Sequence, residues 1–162
     1  MNCIFSFIIT FLLLICYCLK KLFNAMDAKF SPRLNDVLSY SREEALRLGH
    51  VAIGTEHLLL GIIREGQGTA IRVLEEIGIN PKDIRVIIEE NIAKKETIRN
   101  VEKTSIEFKK QTERVLKKSI MEQKNLNEKE IKTIHVLLAI LLDPYNIVTI
   151  SFANINVGYD NV

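Results

Sequence analysis

Tryptophan is absent from this 162-residue chain, and only three prolines and seven glycines interrupt it. So few breakers, among many Leu, Ile, Glu and Lys, argue for helices. No stretch alternates strongly enough to predict a strand. The three cysteines, Cys3, Cys16 and Cys18, all lie near the start, so the body from Met26 onward holds none. That excludes a disulfide scaffold for the body and fits a reducing, cytosolic setting. Charge of one sign is not in excess either. From Met26 there are 20 basic and 20 acidic residues, which argues against a nucleic-acid partner. No G-x-x-x-x-G-K-[ST] string occurs, so a phosphate loop for ATP is missing, and Gly66-x-Gly68 is only a short glycine pair. No Ser–His–Asp arrangement is legible. The chain reads as a binding module and not as an enzyme.

Residues 1–25 stand apart. They carry no acid, and Cys3–Leu19 is a 17-residue run without charge. As a helix it would span about 25 Å, short of a hydrocarbon core of about 30 Å. Lys20-Lys21 follows it, but the segment lacks the basic start and small-x-small site of a signal peptide. Two readings remain. One is an apolar N-terminal helix serving as a short membrane anchor. The other is an upstream extension of the reading frame with the true start at Met26.

The body repeats itself. A shift of 78 residues aligns Phe30 with Phe108, Ser41 with Ser119, Ile53 with Ile131, Thr55 with Thr133, His57 with His135 and Leu59-Leu60 with Leu137-Leu138. In all, 13 of the 55 pairs from Phe30 to Val162 are identical, where chance would give about four. The fold class expected is all-α, two pseudo-symmetric repeats of a four-helix unit. The parts are the apolar extension at 1–25, a first repeat at 26–92, a polar linker at 93–105 and a second repeat at 106–162. The second is incomplete, because the sequence stops at Val162, where its fourth helix should begin.

The spacing within each repeat predicts the helices. Leu34, Val37, Leu38, Ser41, Ala45 and Leu48 share one face of a first helix. Ser31-Pro32 would start it, and Gly49 would stop it in the left-handed conformation. Gly49 is matched by Asn127, the next-best residue for that conformation. Further helices are expected over about 55–64, 69–77 and 81–91, then about 108–125, 133–142 and 147–155. A four-helix unit of about 65 residues is marginal alone, so two should pack together around a shared groove.

The segments Glu43–His50 (EEALRLGH) and Ile53–Gly66 (IGTEHLLLGIIREG) resemble the N-terminal repeat domain of Clp-type AAA+ unfoldases, closest to the ClpC branch. The resemblance covers about Met26 to Val162 and is stronger in the first repeat. It implies an all-helical doubled domain that docks adaptor proteins and unfolded or tagged substrates. In the family this domain sits on a hexameric AAA+ ring that feeds the ClpP peptidase. ATP and Mg would belong to the modules this chain lacks, so no cofactor of its own is expected. Location would be cytoplasmic, or at a membrane only if residues 1–25 are real. The alternative is a membrane-anchored, stand-alone helical client-binding protein.

Some family members bind phosphoarginine, with the Glu after Gly-Thr helping to hold the guanidinium. Here the first motif is Gly54-Thr55-Glu56-His57 and the second Lys132-Thr133-Ile134-His135. Thr55 and Glu56 are therefore the candidate ligand residues. Ile134 cannot pair with a guanidinium, so at most the first site survives. The plainer reading has Thr55 as an N-cap and Glu56 complementing the helix dipole. His57 and His135 recur because of the repeat. They are expected to be core or helix-start residues and not metal ligands, and His50 to lie on a surface loop.

Overall fold

The computed structural model describes residues 29–93 and 106–162; the apolar segment at 1–25 and most of the 93–105 linker lie outside them. Among the described residues seven α-helices carry the fold, in two sets separated by the linker. The first set is α1 (Pro32–Arg47), α2 (Thr55–Glu65), α3 (Thr69–Glu76) and α4 (Pro81–Ala93). The second is α5 (Lys110–Asn125), α6 (Thr133–Leu141) and α7 (Ile147–Ala153). A single 3₁₀ turn at Tyr159–Asn161 follows. It begins 78 residues after Pro81, in register with α4. The all-helical, doubled architecture expected from the sequence is the one observed.

Local chemistry sets the helix ends. The Ser31 hydroxyl accepts from the Leu34 N–H at 3.3 Å, and Pro32 supplies the first helical φ. Gly49 turns left-handed at φ 74° just beyond α1, and Asn127 does the same at φ 52° beyond α5. A residue with a larger side chain is strained there, which is why glycine and asparagine share the position.

The sequence predicts no strand, yet the described residues contain two. β1 (Ala52–Ile53) and β2 (Glu107–Phe108) pair in parallel, and an isolated bridge joins Phe30 to Ile131. Strands of two residues are too short to show alternation. They arise because each repeat's N-terminal arm crosses to the other repeat. The Ser31 N–H donates to the Ile131 carbonyl at 3.0 Å, and the Lys109 N–H to the Ile53 carbonyl at 2.9 Å. Under the 78-residue shift these two bonds are the same bond, which is the signature of a pseudo-twofold axis. The Thr112 hydroxyl donates to the same Ile53 carbonyl at 2.9 Å, fixing the crossing further.

The core lies between the repeats. Leu58, Leu59, Leu60 and Ile62 of α2 and Val136, Leu137, Ala139 and Ile140 of α6 are all fully buried in one cluster. Both helices are apolar on nearly every side, as a helix enclosed by neighbours must be. Leu59 and Leu137 occupy matching interior positions. Gly61 lets α1 and α2 approach closely, because a Cβ there would stand 2.6 Å from the Val37 carbonyl oxygen. Its counterpart is Ala139. α4 packs against α7 and so ties the first repeat to the second, with the Asn91 amide donating to the Ser151 hydroxyl at 2.9 Å.

Glu44 anchors the first repeat. Its buried carboxylate meets Arg47 at 2.7 Å, Arg85 at 3.0 Å and Arg64 at 3.6 Å, so one acid joins α1, α2 and α4. Burial pushes the carboxyl up, but Arg47 and Arg85 outweigh it and hold it below its ordinary value. The equivalent Glu122 is also buried and accepts from the Tyr159 hydroxyl at 2.9 Å.

Candidate functional site

The crossed arms create two concavities related by the pseudo-twofold. The first, about 170 Å³, lies where Lys109 and Gln111 pass the start of α2 at Thr55-Glu56, with Tyr145 and Ile147 on its far wall. The second, about 390 Å³, lies where Ser31 and Arg33 pass the start of α6 at Thr133, facing Gln67 and Thr69. The shift maps Thr55 to Thr133, Lys109 to Ser31, Gln111 to Arg33, Tyr145 to Gln67 and Ile147 to Thr69. One architecture is therefore lined with two different chemistries.

In the first concavity, Glu56 is buried and its Oε1 lies 3.0 Å from Lys109 Nζ. Burial pushes the Glu56 carboxyl up; the charges of His57 and Lys109 outweigh it and hold it below the ordinary carboxylate range. Thr55 is not the N-cap expected from the sequence. Gly54 is, in an extended conformation, and Thr55 is the first helical residue. Its hydroxyl lies 3.5 Å from the Glu56 carboxylate. The cap is instead closed by His57, whose Nδ1 accepts the Gly54 N–H at 2.8 Å. Gly54 has a steric reason as well: a Cβ there would collide with the Glu56 carboxylate folded back over the helix start. In the second repeat the pair has changed together, to Lys132 and Ile134. Without a carboxylate to accommodate, Lys132 fits, and His135 Nδ1 accepts its N–H at 2.8 Å.

Both histidines are thus helix-start residues, as expected. His50 is not the surface residue expected; it is buried, and its Nδ1 lies 2.6 Å from His57 Nε2. The left-handed turn at Gly49 folds the chain inward, and the His50 N–H donates to the Ala45 carbonyl at 2.9 Å. Ligand atoms of His50, Glu56 and His57 therefore lie within 4.8 Å of one another. The chain's own contacts already engage them. His57 receives the Gly54 N–H on one nitrogen and meets His50 through the other, and Glu56 holds Lys109.

The second concavity is edged by Arg33, Arg72 and Lys132. Arg33 is bound to Glu65, and Lys132 pairs with Glu128 at 2.7 Å. Two helix starts cap each other here. The Thr133 hydroxyl accepts the Ala70 N–H at 3.1 Å, and the Thr69 hydroxyl accepts the Ile134 N–H at 3.4 Å. Of the residues that line the first concavity, the sequence pointed to Thr55 and Glu56 and did not mark Lys109, Gln111 or Tyr145. The repeat held the signal for the first two. Aligning Ser31–Arg33 with Lys109–Gln111 marks both as crossing arms.

A doubled helical domain with two grooves at the crossing of its arms is the class that fold and site define. Residues 29–150 match the profile of the Clp repeat (R) N-terminal domain, and the chain belongs to that family. It is 37% identical over 139 residues to the chloroplastic chaperone protein ClpC2 of Arabidopsis thaliana, covering 86% of this chain and 14% of that protein. The chain therefore spans about one seventh of that relative's length. Its fold is similar to the N-terminal domain of the Caseinolytic protease associated chaperone ClpD from Arabidopsis thaliana. That match has a TM-score of 0.62 and 20% identity, over 82% of this chain and 88% of the other. It is also similar to a ClpV N-domain in complex with a VipB peptide, with a TM-score of 0.63 and 19% identity over 79% of each chain. Among the described residues no helix is long and apolar enough to cross a membrane.

Proposed function

We propose that this chain is a docking module of a Clp-type unfoldase system, in which residues 26–92 and 106–162 form the two repeats and 93–105 joins them. It binds adaptor proteins and unfolded or tagged clients in the cytoplasm and has no catalysis of its own. In that reading it delivers clients to a hexameric AAA+ ring and to ClpP, in a system that depends as a whole on ATP and Mg. The observation that carries the reading is the pair of pseudo-equivalent grooves where an arm of one repeat crosses a helix start of the other. Peptide capture in the ClpV N-domain complex supports it by analogy of fold.

Thr55 and Glu56 are the ligand residues proposed for the first groove, with Tyr145 offering an aromatic face at its mouth. Lys109 already sits on Glu56, so an incoming guanidinium has to displace an ammonium. Ile134 leaves the second groove without a carboxylate at that position. Phosphoarginine should therefore bind at one site, weakly. The test is amide NMR of the chain titrated with free phosphoarginine and, separately, with unfolded casein. Shifts centred on Thr55, Glu56, Lys109 and Gln111, lost in Glu56→Gln, are expected for phosphoarginine. Casein should shift residues of the grooves. Two equivalent phosphoarginine sites would refute the assignment of Glu56, and silence toward casein would refute the docking role.

A further inference from the structure

The outer face of α5 carries five exposed cations, Lys110, Arg114, Lys117, Lys118 and Lys124. At about 100° per residue they fall within an arc of about 120° and run along about 21 Å of helix. Met121 lies inside the same arc and is 64% exposed. None of the five cations forms an ion pair with any described residue. The nearby acids are few. Glu113 stands at the edge of the arc, Glu122 is buried against Tyr159, and Asp143, which accepts from the Gln111 amide at 3.0 Å, feels the charges of Lys118 and Arg114. Like charges one turn apart raise the energy of the helix that bears them.

The first repeat serves as an internal control. The five cationic positions correspond to Pro32, Asp36, Ser39, Tyr40 and Leu46 on α1, so the fold needs no cation at any of them. Met121 corresponds to Glu43, which pairs with Arg64 at 2.6 Å, and Arg64 corresponds to Leu142. Where the first repeat has a surface ion pair, the second has two exposed apolar side chains, Met121 and Leu142. An apolar centre rimmed by unpaired charge of one sign is the anatomy of a protein interface. A solvated face needs no such centre.

We propose that this face of α5 is a docking surface for an acidic protein segment, one bearing Asp or Glu at helical-turn spacing around a large apolar residue. The apolar centre and the formal neutrality of the body favour such a segment over a polyphosphate. The surface is distinct from the two grooves, and its existence does not depend on what they bind.

The test uses the 162-residue chain and a fluorescein-labelled 18-residue helical peptide with four glutamates and one leucine on a single face, read by anisotropy. The triple exchange Arg114→Asp, Lys117→Ser, Lys118→Tyr installs the first repeat's residues, and circular dichroism checks that it folds. It is expected to weaken binding about tenfold or more, and a rise from about 50 to 300 mM salt should weaken it several-fold. Met121→Ser leaves every charge in place and is expected to weaken binding about threefold. Equal affinity in the triple exchange overturns the proposal. So does a single-stranded oligonucleotide of equal charge, or an anionic vesicle, that binds the chain more tightly than the peptide.

Discussion

Acidification from pH 7 to pH 5 should destabilise the domain, chiefly through His57. Burial pushes its pKa from 6.5 down to about 4, with Glu56 opposing the shift and His50 and Lys109 adding to it. The geometry gives the same answer. Nδ1 accepts the Gly54 N–H at 2.8 Å, so a proton there would set two donors face to face and open the cap of α2. Between the two pKa values the unfolded chain binds a proton that the folded chain refuses. Stability therefore falls as pH drops through that window and levels off below about 4. Integrated from pH 7 to 5, one such histidine costs about 2 kcal/mol, or a Tm decrease of roughly 4–8 °C. His135 is lowered for the same first reason, burial, and adds in the same direction. The lowered carboxyls, Glu44 and Glu56, lose their contribution only below pH 4.5, so the window isolates the histidines. Urea titrations at the two pH values measure the loss. Glutamine at both positions keeps an acceptor for the cap and removes the titration, so His57→Gln with His135→Gln should flatten the slope. An unchanged slope, or a His57 that titrates near 6.5 by NMR, would refute the reasoning.

Two further changes probe the same framework. Glu44→Ala removes the buried acid shared by three arginines, of which Arg47 and Arg85 keep Glu89 as a partner, and should cost about 2–3 kcal/mol by urea denaturation. Glu122→Ala, which loses one tyrosine hydroxyl bond, should cost less, about 1–2 kcal/mol. Gly54→Ala should cost about 1 kcal/mol or less, because its Cβ has to displace only the end of the Glu56 side chain from Lys109, and should be nearly neutral once Glu56→Ile is present. Additive effects in that double-mutant cycle would show that the collision does not set the position.

The helices were legible because their signals are local. Ser31-Pro32 and Gly49 fix ends that any spacing argument can find, and the apolar face of α1 needs no partner to be seen. What escaped depended on the other repeat. Phe30 and Phe108 carry no strand signal of their own, and their pairing with Ile131 and Ile53 exists only because two arms cross. His50 reads as a loop residue until the turn at Gly49 delivers it to His57. The capping role of His57 was hidden for a different reason. A histidine that accepts a backbone N–H looks the same in sequence as one that binds a metal, and only the 2.8 Å contact, repeated at His135, separates the two.

The repeat also shows how one scaffold comes to hold two sites. Residues that must agree across the fold have stayed alike: Ile53 and Ile131 receive the crossing arms, His57 and His135 close the caps, and Leu59 and Leu137 fill the core. Residues that only face the grooves have changed, and in coupled sets. Glu56 needs Gly54 beneath it and has Lys109 beside it; with Ile134 in its place, the matching positions become Lys132 and Ser31. Glu56 without Lys109 would lose its ion-pair partner, and a side chain at 54 would have to push the Glu56 carboxylate aside. Because such a coupled set can be exchanged without disturbing the crossed arms, the chemistry of a groove can diverge while the fold that positions it does not.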